Sequence, residues 1–193
     1  GPRLRLFGPV RLEGARGEAP SRAAGRCLEY CAWLLTHPGS TSLDMSRGLF
    51  IADGTRRSNL SRLRTWLGAS PAGEPYLPEA HSGRIALHPA VSSDWAELQA
   101  LVARGVDHAG VERLRAALDL VEGAPLADAA PGQWAWAEGL RTEMAALVRD
   151  AGVVLARAAL LRQDAALARW ACERATLEQI DAELKQVSAN IMK

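Results

Sequence analysis

Residues 55–67 read TRRSNLSRLRTWL, and the apolar positions of this stretch recur at helical spacing. Its leucines are Leu60, Leu63 and Leu67. At about 100° per residue these three side chains fall within one narrow arc, so we expect that arc to face a core. Thr55 is a residue type that caps helix starts, and Gly68 is a type that ends helices. The pattern predicts an amphipathic helix from Thr55 to Leu67.

The opposite side of this helix is polar, with small hydroxyl residues around one arginine and two more arginines on a flank. These residues are Ser58, Ser61, Arg62 and Thr65, flanked by Arg57 and Arg64. Small hydroxyl residues add hydrogen bonds without bulk, so such a face can lie deep in the major groove of DNA while the flanking arginines reach phosphates. A solvated face on an ordinary surface helix has the same composition, and this helix alone does not separate the two interpretations.

The preceding sequence predicts two strands and two helices, and the following sequence predicts a hairpin. The strands are expected at residues 3–7 and 10–12, the helices at 23–36 and 41–51, and the hairpin turn at Ser82-Gly83. Thr41 and Asp44 have the spacing of a capping box, so the second helix should begin there. That helix is expected to carry Phe50 and Ile51 on its apolar side. The predicted order is strands, three helices, then a hairpin.

Beyond residues 89–93 the pattern is helical. Helices are expected over residues 94–104, 110–121, 134–161 and 165–174. Short turns and alanine at packing positions predict stacked antiparallel pairs similar to tetratricopeptide repeats. The face expected to pack across the Gln163-Asp164 turn comprises Leu147, Val154, Leu155, Ala158 and Leu161 on the long helix, and Leu167 and Trp170 on the last one.

Composition and charge exclude several classes of protein. The chain has 193 residues, of which 48% are hydrophobic and 23% charged, so wholesale disorder and collagen-like repetition are excluded. Every stretch of about 18 residues contains at least one charged residue, so we expect no membrane-spanning helix. Three cysteines are too few for a disulfide framework, which favours a reducing cytoplasm. Cys27 and Cys31 are expected to be buried thiols rather than metal ligands.

Charge is unevenly distributed along the chain. The formal net charge is +1, but residues 1–91 carry 12 positive and 7 negative side chains, a net of +5. The remaining residues carry 11 positive and 15 negative side chains, a net of −4. A basic first half joined to an acidic helical half is typical of a nucleic-acid-binding domain linked to a protein-interaction domain.

Six stretches carry a resemblance through their order and spacing. They are LRLFGPVRLEG (4–14), LEYCAWLLTHPG (28–39), NLSRLRTWLG (59–68), PYLPEAHSGRIALHPAVSSDWAELQALVARG (75–105), RLRAALDLVEGAPLADA (113–129) and WAEGLR (136–141). Together they resemble the bacterial transcriptional activator domain (BTAD) family, which includes AfsR and SARP regulators. The resemblance implies a mainly α fold with a small β component: an OmpR-type winged helix-turn-helix at residues 1–90, an all-α tetratricopeptide-like domain at 91–175, and a tail of uncertain origin at 176–193.

The resemblance also implies a function, that of a transcriptional regulator that binds double-stranded DNA. In such a regulator Arg62 would read a base edge, and Arg57 and Arg64 would hold phosphates. Arg84 would lie in the wing that approaches the minor groove. The helical domain would mediate self-association as a homodimer or contact with RNA polymerase. Leu49-Phe50 stands where the family usually has a Leu-Trp pair.

The sequence contains no pattern typical of a catalytic, cofactor or metal site, so we expect neither an enzyme nor a bound cofactor or metal. Trp134 and Trp136 are two residues apart and are not expected to share a helix face, so they are interpreted as anchors where the chain enters a helix. Two alternatives stay open. One is an interaction or scaffold protein whose winged helix no longer binds DNA, and the other is a sensor whose helical domain takes a small ligand.

The two ends of the chain differ from the rest. Gly1-Pro2 without a leading Met resembles the remnant of a cleaved tag, so we expect the natural protein to be longer. Both lysines and two of the four isoleucines fall after Leu177. This shift in composition predicts a tail of separate origin or a different module.

Overall fold

A computed structural model of the chain describes residues 1–129 and 133–176. The fold is mainly helical with one small three-stranded sheet, as the sequence predicts. None of the helices in these ranges is long and apolar enough to cross a membrane. The tail predicted at 176–193 lies, from residue 177 onward, outside the described residues.

The chain divides into two compact units. The first, here the N-terminal unit, comprises Gly1–Arg5, Arg11–Ser93 and Trp134–Trp136. The second, here the C-terminal unit, comprises Leu6–Val10, Asp94–Gln133 and the chain from Ala137 onward. The sequence pattern predicts neither the assignment of Leu6–Val10 to the second unit nor that of Trp134–Trp136 to the first.

The sheet belongs to the N-terminal unit. Its strands are β1 (Arg3–Arg5), β2 (Arg11–Glu13) and β3 (Ser92–Ser93). β1 is central, pairing antiparallel with β2 and parallel with β3, so that Leu4 lies opposite both Leu12 and Ser93. The strand predicted over residues 3–7 therefore ends at Arg5. β3 is too short to show the alternation by which strands are recognised in a sequence.

Three helices complete the main body of this unit: α1 (Ala24–Thr36), α2 (Ser42–Leu49) and α3 (Asp53–Leu67). The predicted capping box of α2 is confirmed, because the Asp44 amide donates to Thr41 Oγ1 and the Thr41 amide donates to the Asp44 carboxylate, both at 3.0 Å. These hydrogen bonds lower the pKa of Asp44. The prediction that α2 continues through Phe50 is wrong: Phe50 adopts a left-handed conformation (φ 53°) and is 88% exposed.

α3 begins two residues earlier than predicted, so Thr55 is not its N-cap. Ala52 precedes the helix, and Asp53 occupies the first turn, where a carboxylate interacts favourably with the helix dipole. The end of the helix is as predicted. Gly68 has φ 74° and its amide donates to the Arg64 carbonyl at 3.0 Å. A positive φ at this position favours glycine.

The predicted hairpin is reduced to a tight turn with isolated bridges. His81 and Arg84 exchange two backbone hydrogen bonds of 3.0 Å, and the two residues between them, Ser82 and Gly83, have φ of 53° and 75°. Positive φ at both central residues is typical of two-residue hairpin turns. Arg84 also pairs with Thr41, so the turn is anchored beside the start of α2.

The C-terminal unit is helical. Its elements are α4 (Asp94–Leu101), α5 (Val106–Ala109), α6 (Val111–Asp119), α7 (Glu138–Leu161) and a helix over residues 165–176. A 3-10 turn at Ala135–Ala137 comes directly before α7 in the chain. Asp94 is fully buried, and its carboxylate accepts the amides of Leu6 at 2.8 Å and Phe7 at 3.0 Å. Phe7 packs edge-on against Trp95, with ring centroids 6.2 Å apart. The amides of Leu6 and Phe7 are therefore bound by a side chain rather than by a neighbouring strand.

The last two helices approach each other through small residues. A Cβ built at Gly152 would lie 2.4 Å from the Cβ of Ala175, so the backbones are too close there for a side chain. The buried face of α7 comprises Met144, Ala145, Val148, Ala151, Gly152, Leu155, Ala156 and Ala159. The predicted face is therefore wrong in part: Leu155 is buried, but Leu161 is 88% exposed.

Candidate nucleic-acid interface

The polar face predicted on α3 is exposed to solvent. Arg57, Ser58, Ser61, Arg62 and Thr65 are all exposed. The helix is held in this orientation by its other face, where Leu60, Leu63 and Leu67 are buried. The structure thus places five of the seven predicted site residues on one helix surface. Of the other two, Arg64 is on the flank of α3 and Arg84 is in the turn at residues 81–84.

Arg56 joins α3 to α2, a role that the sequence analysis missed. Its side chain is buried, and Nη1 donates to Asp53 Oδ1 and Ser46 Oγ, both at 2.7 Å, and to the Ser42 carbonyl at 3.2 Å. Hydrogen bonds from Ser46 and Arg56 lower the pKa of Asp53. The i, i+3 spacing of Asp53 and Arg56 was a visible signal for part of this cluster. Arg56 therefore fixes the angle between the two helices.

Arg62 is joined to the interior of the N-terminal unit by a chain of hydrogen bonds. Its Nη1 donates to Asn59 Oδ1 at 2.8 Å, and Asn59 Nδ2 donates to the Tyr30 hydroxyl at 3.2 Å. Tyr30 is fully buried and Asn59 is 4% exposed. An exposed arginine at the centre of the polar face thus donates to a buried amide. The i, i+3 spacing of Asn59 and Arg62 is visible in the sequence, whereas the hydrogen bond from Asn59 to Tyr30, 29 residues away, is not.

The Arg64 side chain is bound to the segment that follows α3. Its Nε donates to the Leu77 carbonyl at 2.8 Å, and its Nη1 lies 3.3 Å from Glu79 Oε1. The side chain is 28% exposed. Arg64 therefore anchors the segment that follows α3, whereas Arg57, on the same helix, extends into solvent.

Arg84 projects from the turn at residues 81–84 and is exposed. Its Nη1 donates to the Gly39 carbonyl at 2.5 Å, which fixes the guanidinium beside the loop between α1 and α2. A guanidinium has five N–H donors, so this hydrogen bond leaves others for a ligand. The Arg84 side chain is thus hydrogen-bonded to the α1–α2 loop rather than to α3.

The buried thiols are unreactive in character. Burial raises the pKa of Cys31 to about 12, and burial also raises that of Cys27, with Arg62 acting in the opposite direction. Both thiols are free and buried, as the sequence predicts, whereas Cys172 is exposed. Within residues 1–129 and 133–176, no group of three or more His, Cys, Asp or Glu side chains could hold a metal ion.

Trp134 and Trp136 stack on each other, with ring centroids 6.0 Å apart and planes at 19°. Trp134 has φ 56°, so these residues do not form a regular α-helical turn. Trp136 also packs edge-on against Trp33 at 5.3 Å, and Trp33 stacks on His37 at 3.7 Å. The four rings form one aromatic cluster in the N-terminal unit.

No protein family model, curated protein or solved structure matches the chain. The role of the α3 surface is therefore inferred from its own geometry and charge.

Proposed function

We propose that this chain is a DNA-binding transcriptional regulator, in which the N-terminal unit is a winged helix-turn-helix of the OmpR type and α3 enters the major groove. The observation that carries the proposal is the exposed face of α3, where two arginines and three hydroxyl residues point away from the buried leucines. A helix with this composition offers hydrogen bonds to base edges without bulky side chains that would hold it out of the groove.

The local topology supports this interpretation. Three residues, Phe50 to Ala52, separate α2 from α3, which is the length of a helix-turn-helix connection. The turn at residues 81–84 follows α3 and pairs with Thr41 just before α2, as expected for a small wing. The sequence of the unit has a net charge of +5, which favours approach to a polyanion.

The residues of the surface have different proposed roles. Arg62 reads a base edge, because it lies at the centre of the polar face. Arg57 binds a phosphate, because it is exposed on the flank. Ser58, Ser61 and Thr65 add hydrogen bonds, and Thr65 Oγ1 keeps acceptor capacity while it donates to the Ser61 carbonyl at 3.1 Å. Arg84 contacts the backbone near the minor groove.

For the C-terminal unit we propose a tetratricopeptide-like helical domain that mediates self-association or contact with RNA polymerase. The close crossing at Gly152 and the antiparallel run of α7 and residues 165–176 support stacked helix pairs. The net charge of −4 for the sequence after residue 91 disfavours contact with DNA, so this unit is suited to a protein partner. The proposed location is the cytoplasm.

The experiment is a binding titration of the full chain. A duplex is first enriched from a random-sequence pool by the chain, and fluorescence anisotropy then compares this duplex with a base-scrambled version across a salt series. We expect Arg62→Ala to lose about 1 to 3 kcal/mol for the enriched duplex and little for the scrambled one. Arg157→Ala removes an exposed helical arginine from the C-terminal unit and serves as the matched control. Equal losses on both duplexes would contradict base reading by Arg62.

A second candidate function is a protein-interaction module that does not bind DNA. The observation that favours it is the exposure of two large apolar side chains near the two ends of α2, Leu43 and Phe50, which are 54% and 88% exposed. Exposed side chains of this size are typical of protein-contact surfaces when they lie close together. Absence of any enriched duplex, together with loss of a captured partner in Phe50→Ser, would favour this function over DNA binding.

A further inference from the structure

The Arg62 guanidinium is held before any DNA is present. Arginine carries donors and no acceptor, so the oxygen of the Asn59 amide must face Arg62 and its NH2 group must face away. The NH2 group meets the Tyr30 hydroxyl oxygen at 3.2 Å. A flipped amide would bring two donors together at Arg62, so Arg62 fixes the orientation of the amide. In this orientation the Tyr30 hydroxyl oxygen accepts from the NH2 group and holds the amide in place.

The backbone of Asn59 is held as well. The Cys27 thiol donates to the Asn59 carbonyl, with Sγ and O separated by 3.7 Å. Cys27 and Tyr30 are one helical turn apart on α1 and are both fully buried. α1 thus supports Asn59 at its carbonyl and at its side chain, and these contacts lie directly beneath Arg62.

We propose that Tyr30 and Asn59 are positioning residues that orient Arg62 for recognition of a base edge, an inference that rests on the proposed function. One Nη1 hydrogen of Arg62 is used by Asn59, and the remaining donors form the fork that pairs with O6 and N7 of guanine. An arginine ordered in the free protein loses less side-chain entropy on binding. The arrangement therefore favours a fixed, sequence-dependent contact over a flexible phosphate contact.

The test uses Tyr30→Phe, which removes the hydroxyl and keeps the ring. Tyr76→Phe is the matched control, because Tyr76 is buried in the same unit and its ring packs edge-on against His88. We expect Tyr30→Phe to weaken binding to the enriched duplex by about 2- to 12-fold, the range for one side chain that must be ordered on binding. Binding to the scrambled duplex should not change, and Tyr76→Phe should affect neither duplex.

The same substitution in an Arg62→Ala background separates positioning from general stability. If Tyr30 acts through Arg62, Tyr30→Phe has no further effect on DNA binding once Arg62 is removed, because the two changes share one pathway. Relaxation of the Arg62 Nε–H group in the DNA-free chain gives a second readout. We expect its order parameter to fall in Tyr30→Phe and to stay unchanged in Tyr76→Phe.

The outcomes distinguish this inference from the proposed function. If a duplex is enriched and Arg62→Ala weakens its binding while Tyr30→Phe does not, the positioning role is overturned and the DNA-binding function stands. An equal effect of Tyr30→Phe with and without Arg62, or on both duplexes, also overturns positioning and indicates a structural role. If the chain enriches no duplex, both the proposed function and this inference fail.

Discussion

Arg57 and Arg64 lie on the same helix and were both expected to hold phosphates, yet the structure treats them differently. Arg57 is exposed, whereas Arg64 donates from Nε to the Leu77 carbonyl at 2.8 Å and pairs with Glu79. We therefore expect Arg57→Ala to change DNA binding and Arg64→Ala to change mainly the stability of the N-terminal unit. The two variants remove the same side chain from one helix, so each serves as the control for the other.

The magnitudes follow from these contacts. Loss of the partly buried hydrogen bond to Leu77 should lower the free energy of unfolding by about 1 to 2 kcal/mol. The pair with Glu79 adds little, because Glu79 is 85% exposed and surface ion pairs are worth about 0 to 1 kcal/mol. Arg57→Ala should change stability by less than about 0.5 kcal/mol, as is usual for an exposed side chain. It should instead reduce the slope of log K against log salt by about 0.9, the value for one phosphate contact.

Two measurements check this prediction. Urea unfolding followed by circular dichroism gives the stability of each variant, and anisotropy titrations between about 50 and 200 mM salt give the slope. Arg57→Ala should weaken binding to enriched and scrambled duplexes alike. The reasoning is refuted if Arg64→Ala leaves stability unchanged and flattens the salt dependence while Arg57→Ala leaves the salt dependence as it was.

Three further predictions concern packing, pH and thiol reactivity. Gly152→Ala should destabilise the chain by about 1 to 2 kcal/mol despite the better helix propensity of alanine, because its Cβ would overlap Ala175. Gly139→Ala is the control and should not destabilise the chain, because there is open space at its Cβ. Rescue of Gly152→Ala by Ala175→Gly would show that the overlap is the cause. Burial raises the folded-state pKa of Glu29 above its ordinary value of 4.5, so the contribution of protonated Glu29 to stability is present below pH 4.5 and is lost as pH rises through the folded-state pKa. Glu29→Gln should therefore flatten this part of the curve of unfolding free energy against pH. An unchanged curve would contradict a raised pKa at Glu29. A thiol reagent should label Cys172 rapidly in the native chain and should reach Cys27 and Cys31 only on unfolding. Labelling of native Cys172→Ser would contradict the burial of Cys27 and Cys31.

Much of the local structure could be predicted from nearby residues. Leu60, Leu63 and Leu67 are buried because helical periodicity places them on one arc, and that arc leaves the hydroxyl and arginine face exposed. The capping box at Thr41 and Asp44 was predictable for the same reason, since both partners lie within one turn. Gly68 ends α3 because a positive φ is needed there.

The sequence pattern was less informative wherever a distant group competes for the backbone. Leu6 continues the apolar alternation of β1, but the amides of Leu6 and Phe7 are bound by Asp94, 88 and 87 residues away in the chain. The spacing of Trp134 and Trp136 predicted neither the stacking of their rings nor the left-handed conformation of Trp134. The contact face of α7 was misplaced because close helix crossings use small residues, and the prediction favoured large ones.

The amino-acid sequence alone was sufficient to predict the surface that α3 offers, since the apolar period of one helix determines which side chains remain outside. It could not assign separate roles to the arginines on that helix. Arg56, Arg62 and Arg64 look alike in the sequence, but their contacts differ. Arg56 is buried against α2, and Arg62 donates to Asn59, which in turn donates to Tyr30. Arg64 donates to the Leu77 carbonyl. Arginine is long and carries five donors, so its role depends on which acceptors the fold brings within reach. The contacts that distinguish the three arginines involve Ser46, Tyr30 and Leu77, which lie 10, 29 and 13 positions from Arg56, Asn59 and Arg64, and helical spacing carries no information about contacts at these separations.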